Sequence, residues 1–182
     1  MQRRLFVGTA AAATAIVSAA CACSAPSAAA HAATVVPACT GTAIGAWIAV
    51  GHDTHVSGTT DYPLEFTNLG QSTCSLSGFP VVSAVSAAGV QLGSPAGRGR
   101  QLAAPRVVLA PGGTAHTTLA YQARLATSAG GCRTAGTAAE LRVYLAGRKN
   151  VAYAAFGLAA CSDAGPVYLT ITEAIRAGAG PD

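Results

Sequence analysis

The densest group of side chains able to do chemistry is His52-Asp53-Thr54-His55, within Gly51-His-Asp-Thr-His-Val-Ser-Gly58. Two imidazoles and a carboxylate are the materials of a zinc or copper site, or of proton transfer in hydrolysis. On a strand His52 and His55 would point to opposite faces. A turn would let them converge, with His116 or Asp61 as a third ligand. The glycines on either side predict a loop between two strands, whose ordinary use is a solvated turn held by Asp and Thr hydrogen bonds. A copper carrier would want methionines, and Met1 is the only one.

Other catalytic inventories are thin. There is no Gly-x-Ser-x-Gly nucleophile elbow, and a cysteine nucleophile would need a free thiol. The carboxylates are Asp53, Asp61, Glu65, Glu140, Asp163, Glu173 and Asp182, of which Glu65, Glu140 and Glu173 read as outward strand positions or strand ends. The residues therefore predict no enzyme, cofactor or metal. The alternative is a small extracellular hydrolase or metal-binding protein using His52, Asp53, His55 or His116. The most localised charge is Gly97-Arg98-Gly99-Arg100 with Arg106. It reads as a mobile basic loop able to contact anionic headgroups or acidic polymers, or simply to keep an apolar protein in solution.

Residues 1–32 read as an export signal. Arg3 and Arg4 precede an apolar run from Leu5 to Ala20, too short and too soon interrupted for a spanning helix. The arginine pair followed by Phe6 also resembles a twin-arginine leader, so either export route is open. Two processing outcomes compete. Ser18-Ala19-Ala20-Cys21 is close to a lipobox with Cys21 as the acylated residue, although Ser18 stands where Leu, Val or Ile is usual. Cleavage after Ala30-His31-Ala32 would instead release the chain.

Beyond the leader the charge excess falls from +4 to about +2, too weak a field to bind nucleic acid by itself. Cys39, Cys74, Cys132 and Cys161 remain. In an exported chain they predict two disulfides, for which three connectivities exist. The sequential pairing, Cys39–Cys74 and Cys132–Cys161, is expected because it staples each half of the domain. Each bond is worth about 3–4 kcal/mol in the chain-entropy treatment. Zinc is the rival use, but no Cys-x-x-Cys pair supports it.

The elements that would position these groups are short alternating runs between turns. They are 44–50, 62–68, 79–85, 90–92, 107–109, 114–124, 140–146, 151–156 and 167–172. Within them Tyr62, Leu64 and Phe66 share one face, and Val167, Leu169 and Ile171 are expected inward against Tyr168. Pro111-Gly112-Gly113 is a turn signal and Gly147 to Asn150 a hairpin signal. The glycine-broken stretch from Leu125 to Ala139 reads as a long loop. Asn68 and Gly70 are expected to end a strand through their tolerance of positive φ. Together these predict an all-β, immunoglobulin-like antiparallel sandwich of eight or nine strands. It would occupy residues 39–175, after a linker at 33–38 and before a short tail at 176–182.

These residues also carry a family resemblance. Leu64-Glu-Phe-Thr-Asn-Leu-Gly70, Cys74-Ser-Leu-Ser-Gly-Phe-Pro80 and Val108-Leu-Ala-Pro-Gly-Gly-Thr-Ala115, read with Cys39 and the later cysteines, resemble the actinobacterial exported Domain of Unknown Function 4232 family. The resemblance spans about Cys39 to Ile175. It implies an envelope-associated or secreted β-sandwich, often behind a lipoprotein signal, and brings no activity or functional residue with it. The expected protein is a monomeric exported module with a binding or structural role. Its partner would be an envelope polymer, lipid headgroup or protein, reached from a lipid anchor or from solution.

Overall fold

A computed structural model describes residues 35–100, 104–145 and 150–180. The leader with Cys21, the start of the 33–38 linker, Gly147 to Lys149 of the hairpin tip and Asp182 lie outside the described residues.

The chain is an all-β sandwich, with thirteen strands among the described residues. The first sheet is built on β3 (Thr59–Asn68) and β9 (Thr114–Tyr121), which pair antiparallel over most of their length. On its far side β3 pairs with β1 (Ile44–Ile48) and then β2 (Thr54–Val56). β9 continues the sheet through β12 (Leu169–Ile171) and β13 (Arg176–Ala177). The second sheet has the order β11 (Asn150–Cys161), β10 (Ala135–Leu145), β5 (Val81–Val85), β6 (Gln91–Leu92). A third ribbon pairs β4 (Cys74–Ser77) with β8 (Arg106–Leu109).

Pro63 accounts for the break between β1 and β2. Its carbonyl accepts from Ala49 N at 3.0 Å, but its nitrogen has no hydrogen to return along that edge. Pairing stops at Ile48 opposite Leu64 and resumes at Thr54 opposite Asp61. The excursion between them carries His52 and Asp53. The return is a two-residue turn with Ser57 and Gly58 at φ 49° and 80°, the primed geometry that matches strand twist. The segment expected to be a loop up to Gly58 is therefore half strand.

The core lies between the sheets. Leu64 and Phe66 of β3, Leu119 of β9 and Leu169 and Ile171 of β12 meet Val82, Leu141, Val143 and Leu145 of the second sheet. Tyr62 and Phe156 stack edge-on across it at 4.9 Å, and Tyr121 OH donates to Ala159 O at 3.0 Å. Tyr168 corrects the expected face of its strand. Regular pairing begins only at Leu169, so Val167 is exposed while Tyr168 is 1% exposed and donates to Leu92 O at 2.9 Å. Desolvation, then proximity to Tyr121, pushes its phenol up to about 12.

Both disulfides have the sequential pairing, with Cα separations of 4.8 Å for Cys39–Cys74 and 5.5 Å for Cys132–Cys161. Such bonds fit a non-cytoplasmic fold, and no helix among the described residues is long and apolar enough to cross a membrane. The Leu125–Ala139 stretch is less open than expected. Two 3-10 turns, Ala123–Ala126 and Ser128–Gly130, lead to Cys132, and β10 already starts at Ala135.

Asn68 works differently from its expected role. Neither Asn68 nor Gly70 has positive φ. Instead the Asn68 side chain, 1% exposed, donates to Ser72 O at 2.9 Å and Leu109 O at 3.0 Å, and its Oδ1 accepts from Gly70 N. Its backbone bonds both Gly112 and Gly113. Pro111 and Gly112 (φ 74°) occupy the centre of a type II turn closed by Gly113 N to Ala110 O at 2.8 Å. One buried amide thus ties the end of β3 to the β4–β8 ribbon.

Candidate functional site

The pleat of β3 sorts the candidate groups onto two sides. Asp61, Pro63 and Glu65 face outward, with Thr54 and His116 paired beside them. His52 reaches this face from the excursion, where it lines a small hollow of about 150 Å³ with Thr54, Asp61, Pro63 and Thr118. His55 pairs with Thr60 on the opposite face. Accordingly His52, His55 and His116 do not converge. No three His, Cys, Asp or Glu side chains among the described residues group as metal ligands.

His55 nevertheless sits in an ordered chain. Its Nε2 lies 3.0 Å from Asp53 Oδ2 and its Nδ1 2.9 Å from Thr60 Oγ1. The carboxylate accepts, so Nε2 carries the proton and Nδ1 accepts from the Thr60 hydroxyl. The imidazole side chain is 72% exposed, and water competes for every bond in the chain.

Trp47, Glu65, His116 and Arg176 stand in one row across β1, β3, β9 and β13. Glu65 stands outward on β3 as expected, yet it is only 8% exposed because residues 178–180 fold over it. Gly180 N donates to Glu65 Oε1 at 3.1 Å. His116 Nδ1 donates to Gly178 O at 3.0 Å, an acceptor that fixes the proton on Nδ1. Glu173 accepts from Thr118 Oγ1 at 2.8 Å and pairs with Arg176 at 2.7 Å. The stretch read as a tail therefore supplies a strand and a cover.

The three arginines do not form one loop: Arg106 stands on the ribbon, apart from the element that carries Arg98. Arg98 is on β7 (Gly97–Arg98), which pairs in parallel with β12, and its guanidinium lies 4.1 Å above the Phe79 ring. The expected mobile loop is a short strand at this point, and the parallel pairing departs from an all-antiparallel sandwich. Arg100 is exposed just beyond it. Arg106 opens β8 and donates to Ser75 Oγ at 3.0 Å and to Val36 O. It binds the segment before Cys39 to the ribbon, where Pro37 O also accepts from Ser75 N at 2.8 Å. Cys21 lies outside the described residues.

The outer face of the second sheet was not singled out by sequence. Glu140, Arg142 and Tyr144 alternate outward along β10. Opposite them are Val85, Ser83 and Val81 of β5, and Tyr153 of β11 stands beside Arg142. An open cleft of about 500 Å³ is bounded by Val81, Ser83, Arg142 and Tyr144 on the strands and by Gln91, Pro95 and Ala96 at the rim. Arg142 Nη2 donates to Gln91 Oε1 at 2.8 Å and its guanidinium lies 5.6 Å from the Tyr144 ring centre. Its Nε–H is shielded from water and has no acceptor among the described residues. A buried donor left in that state costs about 1–3 kcal/mol. The signal was present in Glu140-Leu-Arg-Val-Tyr-Leu145, where every outward position is large and polar or aromatic.

A larger cleft of about 590 Å³ lies between the Ser57–Gly58 turn and the 3-10 segment of Arg124 and Leu125, with Thr59, Gln122, Ala129 and Gly130 completing its walls. No curated protein and no solved structure matches the chain. The Asn68 hub, the Ala110–Gly113 turn and the Cys39–Cys74 bond all lie within residues 39–173, which match the description Domain of unknown function (DUF4232) and make the chain a member of that family.

Proposed function

We propose that this protein is an exported cell-envelope module that works by recognition rather than catalysis, and that its outer second-sheet face is the recognition surface. The leader and the two disulfides support an extracytoplasmic location. The observation that carries the recognition role is the open cleft beside Arg142 and Tyr144, next to Tyr153 at 53% exposure. Arginine and tyrosine at a partly exposed, rigid sheet face are the residues most used as binding anchors. The partner is an envelope component: a polymer, a lipid headgroup or a protein.

Immobilised protein, wild type and an Arg142→Gln/Tyr153→Ala variant, is exposed to envelope extracts. The expected result is saturable retention of one component by the wild type alone. Equal retention by both forms, or none by either, refutes this surface. Anchorage has its own test. Cys21→Ala moves the protein from membrane to medium if Cys21 is acylated, whereas a mature N-terminus at Ala33 shows release.

One observation favours a second reading. The Thr60–His55–Asp53 chain has the hydroxyl–imidazole–carboxylate order of a hydrolase triad. A hydrolase of this kind would cleave an activated ester such as p-nitrophenyl acetate, with activity lost in His55→Ala and retained in His52→Ala. Turnover no faster than that of the His55→Ala variant ends that reading.

A further inference from the structure

We propose that the second-sheet cleft binds a monoanionic carboxylate carrying small apolar substituents, with Arg142 as the anion anchor. This rests on the recognition surface just described and adds the chemistry of its ligand. Three observations lead to it. Arg142 is the only cation lining the cleft among the described residues, and it is held rather than loose: Gln91 fixes one terminal nitrogen and the Tyr144 ring lies against the guanidinium. Preorganisation of this kind lowers the entropic cost of binding.

Second, the guanidinium has an unused donor. Nε–H has no acceptor among the described residues, and a carboxylate is matched to the guanidinium fork through two parallel N–H donors. Nε is shielded as the side chain stands, and a turn of the guanidinium about its Nη2–Gln91 bond, which keeps that anchor, brings the donor to a ligand oxygen. A neutral ligand would meet the same donor with a weaker acceptor.

Third, the surroundings select the charge and the body. Glu140 is two residues away on the same strand and the same face. Among the described residues, one arginine beside one glutamate leaves little positive field for a dianion such as phosphate, whereas a single carboxylate is matched by Arg142. The rest of the wall is Val81, Ser83, Pro95, Ala96 and the Tyr144 ring, with Gln91 already engaged by Arg142, which offers short aliphatic groups apolar contact beside one hydroxyl.

The test is titration of the folded, oxidised protein with N-acetyl-alanine, its amide and inorganic phosphate, followed by the Arg142 Nε–H resonance in nitrogen-15 spectra. The expected result is a saturable shift of that resonance with the carboxylate, on the order of tenfold weaker binding of the amide, and no saturation by phosphate. Arg142→Lys keeps the charge without the fork and should weaken binding about tenfold. Gln91→Ala, which leaves the strand core intact, should weaken it less. Equal affinity for the amide, saturation by phosphate, or no saturable shift with the carboxylate overturns the assignment. If these fail while the envelope component is still retained through Arg142 and Tyr153, the ligand class is wrong and the recognition surface stands.

Discussion

The two sheets present outer faces of similar polarity but opposite commitment. On the first, the row through Glu65 and His116 is closed by the chain itself: Gly178, Gly180, Glu173 and Arg176 take up its carboxylate, imidazole and hydroxyl groups. Thr67 Oγ1 is an exception, buried without a partner among the described residues. On the second, Arg142 is held at one nitrogen and unsatisfied at another beside an open cleft. The lesson is that Glu65, His116 and Glu173, which carry much chemistry by type, are consumed by folding. The residues left for a partner are on strands that looked purely architectural.

If that contrast is right, changes around the first sheet cost stability and changes on the second-sheet face do not. The largest effect is expected at the buried hub. Asn68→Ala removes three side-chain hydrogen bonds and strands their backbone partners, which predicts a loss of about 3 kcal/mol; equilibrium denaturation in urea measures it. A loss under about 1 kcal/mol would mean the amide is decorative. Gly180→Val comes next. An added Cβ would stand 2.8 Å from Pro63 Cβ, lifting the cover from Glu65 at a cost of about 2 kcal/mol. Faster amide exchange at Gly178 and Gly180 should accompany it, and unchanged exchange would contradict the covering role.

Tyr168 gives a smaller effect with a pH signature. Its folded phenol is raised to about 12 while the unfolded one ionises near 10. The unfolded chain therefore releases its proton first, and stability present below pH 10 is lost as pH rises toward 12. Tyr168→Phe should cost about 1 kcal/mol at neutral pH through the lost bond to Leu92 and flatten that alkaline decline. An equally steep decline in the variant assigns it to another group. The smallest effect is Arg142→Gln, where loss of the Gln91 bond and relief of the unpaired Nε–H offset one another to within about 0.5 kcal/mol of wild type. A large destabilisation there would erase the distinction between the two faces.

Local chemistry was legible in the sequence wherever a residue's role depends on its neighbours. Pro111-Gly112-Gly113 encodes its own turn, the strands around Phe66 and Val143 show their alternation, and the four cysteines paired in sequence order. What could not be read depends on partners far along the chain. Glu65 is buried by a residue 115 positions later, and Arg98 is strand rather than loop because β12 pairs with it in parallel. Tyr168 turned inward because its strand starts at Leu169, two residues later than the alternation suggests. At His55 the missed cue was local: Ser57-Gly58 closes a tight hairpin, so the histidine inherits a strand's alternation and parts from His116. The candidate site was the less legible half, since an unsatisfied donor such as Arg142 Nε is defined only by the packing around it.

The positions of the two disulfides also govern how force would travel through this protein. Tension applied ahead of Val35 reaches Cys39 and crosses its covalent bond to Cys74, so the intervening 35-residue interval with β1 to β3 is bypassed. Tension from the other end crosses from Cys161 to Cys132 and bypasses the 29-residue interval holding β10 and β11. At about 3.4 Å per residue, roughly 120 Å and 100 Å of contour are withheld from stretching. Arg142, Tyr144 and Tyr153 all lie within the second slack loop. A domain pulled at its ends would load the ribbon, β5, β6 and β9, and with them Val81, Ser83 and Gln91 of the cleft, before the β10–β11 hairpin felt any direct load.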